Sequence, residues 1–182
     1  ISDLQVFPDI VKKRASIVVG ISNENSGRFE GTIEVQAVDG YKFKGGIFRL
    51  GIGNVISGEE YNLIYDMGNK VKLWSEFSPA LYDMVVTLKD SLNKTIDTKV
   101  VSFGMREFRV DRTRFSINGT PVFLRGTTEC CVFPLTGYPP SDTASWMRIF
   151  KTCRDYGLNH MRFHSYCPPE AAFNAADRLG FY

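Results

Sequence analysis

The chain has 182 residues, of which 43% are apolar and 23% charged, and its formal net charge is +2. This composition is typical of globular proteins and excludes a disordered or collagen-like chain. The length predicts one or two domains, each with a core of its own. The longest basic run, residues 12–14 (KKR), is too short to indicate a nucleic-acid-binding surface, so we predict no nucleic-acid partner.

No apolar stretch is long enough to span a membrane, and the first residues, ISDLQ, do not have the pattern of a signal peptide. We therefore predict no membrane span. Because the first residue is Ile1 rather than methionine, we expect the sequence to be a segment of a longer protein.

The cysteines all lie in the last third of the chain, at Cys130, Cys131, Cys153 and Cys167. A disulfide framework would reach the rest of the chain, and a zinc site would need about four ligands at close spacing. No C-x-x-C pair occurs, and the only histidines are His160 and His164. We predict unpaired, partly buried thiols and no metal site. Since no nucleotide-binding glycine motif is present either, we predict no cofactor.

Up to residue 103 the sequence is a succession of short apolar or alternating runs separated by turn residues, at residues 23–27, 39–40 and 51–54 among others. Residues 29–38 (FEGTIEVQAV) alternate most clearly between apolar and polar side chains. About seven short strands in roughly a hundred residues favour an immunoglobulin-like β-sandwich over a barrel. The predicted strands are residues 4–7, 15–22, 29–38, 47–50, 60–64, 82–89 and 95–103.

After residue 103 the pattern changes, beginning with a predicted hairpin. Asn118 and Gly119 lie between two apolar-rich runs, residues 109–117 and 122–125. Asn-Gly is the preferred dipeptide of a two-residue hairpin turn, because both positions need a positive φ.

Two predicted helices with a strand between them complete the chain. The first helix follows residues 139–142 (PPSD) and ends at Gly157, and the second follows residues 168–170 (PPE) and ends at Gly180. Residues 158–164 form the strand. This alternation is typical of βαβ units in a parallel sheet.

The strand LNHMRFH at residues 158–164 indicates which side chains face an active site. His160, Arg162 and His164 share one face, whereas Met161 and Phe163 share the other, where we expect helices to cover them. Active sites of α/β barrels lie at the carboxyl ends of the strands, so His164 is placed nearest to the reaction. The alternative is that all three polar residues are structural and satisfied by neighbouring groups.

Five motifs occur in a fixed order, and the last is in two parts: LWSEFSPALY (73–82), FGMREF (103–108), INGTPVFLRG (117–126), GLNHMRFHS (157–165), and PPEAAF (168–173) with ADRLGFY (176–182). In sequence and order they resemble the landmarks of glycoside hydrolase family 2. The resemblance implies a retaining hydrolase of β-linked glycosides, of the β-galactosidase, β-glucuronidase or β-mannosidase type, with β-galactosidase as the first choice.

The resemblance also implies the domain organisation. Residues 1–104 would be the immunoglobulin-like β-sandwich, and residues 105–182 the first two βα units of a (β/α)8 TIM barrel, which takes about 250 residues when complete. The catalytic glutamates of the family come from later strands. We therefore assign no catalytic residue in this chain and expect it to be inactive by itself. We expect self-association through the exposed edge of the truncated barrel, and a periplasmic or extracellular bacterial parent rather than a cytoplasmic one.

The loops after the two barrel strands depart from the family pattern. Many members have Asn and His after the first strand and Ser-His-Tyr-Pro after the second, whereas this chain has TEC at residues 128–130 and HSYCP at residues 164–168. The resemblance implies that His164 or Ser165 contacts the sugar. It also implies that Arg162 supports the catalytic carboxylates through charged hydrogen bonds.

Glu129 is the one carboxylate near the end of the first barrel strand. A glycosidase needs two carboxylates about 5 to 9.5 Å apart, and the second strand ends without one. We therefore interpret Glu129 as a hydrogen-bonding or loop residue that supports the active site, and a direct role as general acid or nucleophile is the alternative. Gly126 indicates a close backbone approach at the top of the sheet. The competing hypothesis for the whole chain is a non-catalytic carbohydrate-binding or structural β-sandwich module.

Overall fold

The computed structural model describes residues 1–23, 27–39, 43–55 and 58–182. The chain divides into two compact units. The sandwich unit comprises Ile1–Lys72 and Leu81–Met105, and the carboxyl-terminal unit comprises Leu73–Ala80 and Arg106–Tyr182. Within the described residues, no helix is both long enough and apolar enough to cross a membrane.

The sandwich unit is built from antiparallel strands in two sheets, and the β-sandwich prediction is confirmed. Its strands are β1 (Asp3–Asp9), β2 (Arg14–Ile21), β3 (Phe29–Val38), β4 (Phe48–Val55), β5 (Glu59–Asp66), β6 (Leu81–Asp90) and β7 (Thr95–Gly104). One sheet has the order β1-β2-β5 and the other β4-β3-β6-β7. Buried side chains from both sheets form one core, to which β2 contributes Ile17 and β6 contributes Met84.

The alternation in β3 explains the two faces of its sheet. Ile33 and Val35 are fully buried in the core. Glu34, on the opposite face, forms ion pairs with Lys89 and Arg49, each at 2.6 Å. These two cations hold the pKa of the Glu34 carboxyl below its ordinary value.

One predicted turn of this unit is wrong. Residues 51–54 lie inside β4, because Gly51 and Ile52 pair with Thr32 and Gly31 of β3. Pairing with a neighbouring strand overrides the local turn preference of glycine and asparagine. Parts of two other predicted turns, residues 24–26 and Gly40, lie outside the described residues.

The carboxyl-terminal unit begins with a small antiparallel sheet of order β10-β9-β8. Its strands are β8 (Phe108–Asp111), β9 (Arg114–Ile117) and β10 (Thr120–Val122). The Asn-Gly hairpin is confirmed, since Asn118 and Gly119 have φ values of 51° and 77° and join β9 to β10. The single strand predicted over residues 109–117 is wrong, because a turn with Arg112 at φ 53° divides it.

The predicted strand–helix alternation is confirmed in the rest of the unit. Strand β11 (Gly126–Glu129), helix α1 (Thr143–Asp155), strand β12 (His160–Phe163) and helix α2 (Glu170–Leu179) follow in order. The two strands are paired in parallel. A second core, which includes Trp146, Phe150, Met161, Ala172, Ala175 and Phe181, holds the helices against them.

Leu73–Ala80, which we call the 73–80 loop, packs in the carboxyl-terminal unit although the chain before and after it belongs to the sandwich unit. Trp74 of this loop is fully buried. Its indole Nε1 donates to the Asp177 carbonyl at 2.7 Å, and the Arg106 guanidinium lies 4.5 Å from the ring centre. Burial raises the pKa of the Asp177 carboxyl, and the charge of Arg106 partly opposes that rise.

Glu76 of the same loop joins the amino ends of both parallel strands. Its Oε1 accepts from Arg125 Nη2, and its Oε2 accepts from Asn159 Nδ2, each at 2.9 Å. Arg125 directly precedes β11 and Asn159 directly precedes β12. Asn159 Oδ1 also accepts from the Arg125 backbone N–H at 2.8 Å, which closes the network. The 73–80 loop therefore helps to set the register of the two strands.

The packing of this loop predicts unequal effects of alanine at two helix-ending glycines. Gly180 has φ 70°, and a Cβ there would lie 2.5 Å from the Glu76 carbonyl oxygen. Gly157 has φ 79°, but nothing lies within 4 Å of its Cβ position. We expect Gly180→Ala to cost about 3 kcal/mol of unfolding free energy and Gly157→Ala about 1 kcal/mol. Urea unfolding followed by tryptophan fluorescence reports on this unit, which contains both Trp74 and Trp146. Equal losses of unfolding free energy in the two variants would contradict the packing of the 73–80 loop against the end of α2.

Candidate functional site

The carboxyl ends of β11 and β12 bring the predicted site residues to one edge of the parallel pair. Glu129, the last residue of β11, pairs with Phe163, the last of β12. The His164 N–H then donates to the Glu129 carbonyl at 2.8 Å. Glu129, His164 and Ser165 therefore lie at the edge where α/β proteins commonly bind ligands.

Arg162 and His164 are joined through their side chains. Arg162 Nη1 lies 2.8 Å from His164 Nδ1. A guanidinium only donates hydrogen bonds, so Nδ1 must accept and the ring proton lies on Nε2. Both side chains are exposed. The pair thus presents an imidazole whose Nε2–H is a hydrogen-bond donor for a group at this edge.

Glu129 is half-buried and only partly satisfied. Its Oε1 accepts from the Val132 backbone N–H at 3.2 Å. Its Oε2 and the Tyr166 hydroxyl oxygen are buried and have no hydrogen-bond partner among the described residues. A buried polar atom without a partner is costly, and a functional role is one reason for a protein to retain it. Both atoms belong to the segments at the carboxyl ends of the two strands, which makes this edge suited to a polar ligand.

The backbone also departs from common conformations at this edge. Cys131 lies two residues after the end of β11 and has φ 59°, and Ser165 lies two residues after the end of β12 and has φ 64°. A positive φ is unfavourable for both residue types, and such strain clusters at functional sites.

His160 lies at the opposite end of its strand from His164. Burial lowers the pKa of His160, which favours the neutral form of its ring. A Cβ at Gly126, its partner in β11, would collide with His160 Nδ1. The predicted close approach at Gly126 is therefore found, but at the amino end of the sheet, and our placement of it at the top was wrong. The run predicted over residues 122–125 is mostly not a strand, because β10 ends at Val122 and β11 starts at Gly126.

The four cysteines are unpaired, as predicted. Only Cys153 is partly buried, and its burial raises the pKa of its thiol. The prediction of burial is wrong for Cys130, Cys131 and Cys167, which are exposed. These three lie in the segments that follow β11 and β12, where no helix or strand covers them. In the described part of the chain no three His, Cys, Asp or Glu residues are grouped to hold a metal ion.

A cavity beside this edge was not predicted from the sequence. It has a volume of about 440 Å³ and is lined by residues of the loop between β11 and α1 and of the first turns of α1. The prolines at residues 134, 139 and 140, together with the apolar Leu135 and Tyr138, were the signal available in the sequence.

Comparison with known proteins decides the family. The sequence model described as "Glycosyl hydrolases family 2" matches residues 1–106. The chain belongs to glycosyl hydrolases family 2. It is 31% identical over 110 residues to a β-galactosidase of Yersinia enterocolitica, a match that covers 60% of this chain and 10% of that protein. A β-galactosidase of Pseudoalteromonas haloplanktis is 28% identical over 111 residues, which cover 61% of this chain and 11% of that protein.

This family 2 chain also has the fold of solved members. A glycosyl hydrolase family 2 member from Bacteroides cellulosilyticus superposes with a TM-score of 0.82 at 22% identity, over 98% of this chain and 23% of that one. The matched residues thus cover about a tenth of the length of the two β-galactosidases and under a quarter of this solved structure.

Proposed function

We propose that these residues belong to a retaining β-glycosidase of the β-galactosidase type. In it they supply an immunoglobulin-like sandwich and the first two βα units of a (β/α)8 catalytic barrel. The observation that carries the proposal is the parallel pair β11–β12, whose carboxyl edge presents Arg162, His164, Ser165 and Glu129, in a chain of family 2. The similarity to β-galactosidases supports the choice of substrate class.

The proposed chemistry is double displacement. One carboxylic acid protonates the leaving oxygen, and a carboxylate forms a glycosyl-enzyme that water then hydrolyses. The chain's own residues position the sugar: the Nε2–H of His164 and the hydroxyl of Ser165 bond to sugar hydroxyls, and Glu129 supports them from the end of β11. Arg162 is a positioning residue, since it orients His164 and places a positive charge beside the carboxylates.

The acid/base and nucleophile glutamates of the family lie on later strands of the barrel. We therefore propose that the 182 residues by themselves do not hydrolyse glycosides. Activity belongs to the complete gene product that contains them, and that protein is the one to assay.

The proposal is tested by following the hydrolysis of nitrophenyl β-galactoside with proton NMR. We expect the β-anomer of galactose to appear first, as retention requires. Arg162→Ala is expected to lower kcat about a hundredfold with little change in KM, because the lost charge acts in the transition state. Arg178→Ala, which removes an exposed arginine in the last turn of α2, is the matched control and should leave both constants unchanged.

Release of the α-anomer first would exclude the retaining mechanism. If Arg162→Ala and Arg178→Ala behaved alike, the assigned role of the β12 edge would be wrong. Binding of galactosides that perturbs only the sandwich unit, without hydrolysis, would favour the carbohydrate-binding module instead.

A further inference from the structure

The loop between β11 and α1 forms a cavity at the carboxyl edge of the parallel pair. All the residues that line it lie between Val132 and Arg148. The loop starts where β11 ends, and it leads into the amino terminus of α1. In a βα unit these two ends lie on the same side of the sheet, so the cavity is on the side of His164 and Ser165.

The wall of the cavity is largely apolar and unusually exposed. Leu135 is 99% exposed and Tyr138 is 64% exposed, and Val132 beside them is also exposed. Water contact with such side chains is unfavourable, and an exposed apolar patch around a concavity is typical of a binding site. Arg148 Nη2 donates to Ser145 Oγ at 3.3 Å. The polar part of the wall consists of Thr136, Ser141, Asp142, Ser145 and Arg148.

The loop is held in shape by its own hydrogen bonds. The backbone N–H groups of Thr136 and Gly137 both donate to the Phe133 carbonyl, at 3.2 and 2.7 Å. The buried Trp146 donates from Nε1 to the Pro140 carbonyl at 2.8 Å, and its ring meets that of Phe133 edge-on at 6.1 Å. A site that is already formed loses little conformational entropy when a ligand binds.

The volume of about 440 Å³ indicates the size of the occupant. An apolar cavity of roughly 150 Å³ holds benzene, and ligand pockets run from roughly 300 to 1,000 Å³. The cavity therefore has room for a substituted ring. The exposed apolar side chains of Val132, Leu135 and Tyr138 fit an aromatic ring, and the polar side chains of the wall can bond to a polar substituent on that ring.

We propose that this cavity binds the aromatic aglycone of a β-glycoside, and so selects the leaving-group side of the substrate. The assignment of a glycoside as ligand rests on the proposed function. The exposed apolar side chains of the wall support the choice of an aromatic group. The position at the carboxyl edge, beside His164 and Ser165, supports the choice of the leaving-group side. Tyr138 is the specificity-determining residue, because its ring offers a face for stacking.

The binding test uses the 182-residue chain and benzyl alcohol as the probe, followed by amide chemical shifts. We expect shifts at Thr136, Ser145 and Arg148, and binding about tenfold weaker in Tyr138→Ala. Tyr156→Ala is the matched control, because Tyr156 is 82% exposed and lies at the other end of α1. Shifts elsewhere, or equal binding by Tyr138→Ala, would overturn the inference.

The kinetic test separates this inference from the proposed function. Benzyl and methyl β-galactoside have leaving groups of similar basicity, so their kcat/KM ratio in the complete gene product reports on aglycone binding. We expect the benzyl compound to be preferred and the preference to fall about tenfold in Tyr138→Ala. Hydrolysis with an unchanged ratio would overturn the inference and leave the proposed function intact. If neither compound is hydrolysed, the proposed function fails, and the benzyl alcohol titration alone decides whether the cavity binds aromatic rings.

Discussion

Glu76→Ala is expected to lower the unfolding free energy of the carboxyl-terminal unit by about 3 kcal/mol. The variant removes the acceptor of two hydrogen bonds, from Arg125 and from the buried Asn159, at the amino ends of β11 and β12. The Arg125 side chain is partly exposed, so water compensates part of its lost ion pair. The main cost is the buried amide of Asn159. Urea unfolding monitored by tryptophan fluorescence measures the effect, since both tryptophans lie in this unit.

Two further variants show whether the effect comes from the network. Glu76→Gln keeps one carbonyl acceptor and should cost less than Glu76→Ala. Asp155→Asn removes an exposed carboxylate at the end of α1 and should change stability by less than about 0.5 kcal/mol. A Glu76→Ala protein as stable as Asp155→Asn would contradict the assigned role of the 73–80 loop.

Trp146→Ala is expected to cost about 3–5 kcal/mol, enough to unfold a unit of marginal stability. Trp146 is fully buried and meets the rings of Phe150 and Phe163 at 5.6 and 5.7 Å. Its removal leaves a large cavity between α1 and β12. The remaining fluorescence of Trp74 and the loss of helical circular dichroism would report unfolding.

The matched control for this variant is Phe77→Ala. Phe77 belongs to the same unit but is 86% exposed, so its truncation should have an effect within about 0.5 kcal/mol. We expect hydrogen exchange in β2, β3 and β6 to stay slow in Trp146→Ala, because these strands have a core of their own. A cooperative loss of both cores would contradict this expectation.

Local signals predicted much of the fold. The period of two in β3, the Asn-Gly turn before β10 and the proline and glycine signals that bound α1 and α2 act over a few residues, and each predicted element is found. The same locality explains the wrong turn at residues 51–54, because strand pairing with β3 supplies energy that a local pattern cannot show.

The 73–80 loop could not be predicted from local patterns. Its bonds join Glu76 to Asn159 and Trp74 to Asp177, which are 83 and 103 residues apart. No periodicity links residues at such separations. The resemblance to the family marked residues 73–82 as a landmark, but it did not show in which unit they pack.

The candidate site was predictable only in part. Alternation in β12 placed Arg162 and His164 on one face, but their hydrogen bond depends on side-chain conformations that a pattern does not specify. The buried Glu129 Oε2 and the cavity beside Tyr138 depend on the path of an irregular loop. The roles of Glu129, Arg162, His164 and Ser165, the domain boundary at residue 104 and the self-association stay predictions.

The most direct test of the role proposed for the β11–β12 edge is a crystal structure of the complete gene product after reaction with a fluorinated β-galactoside that traps the glycosyl-enzyme. We expect a covalently bound galactosyl group at the carboxyl edge of β11 and β12, within hydrogen-bond distance of His164 or Ser165. A galactosyl group bound away from this edge, or a reagent that is turned over without any covalent adduct, would contradict it.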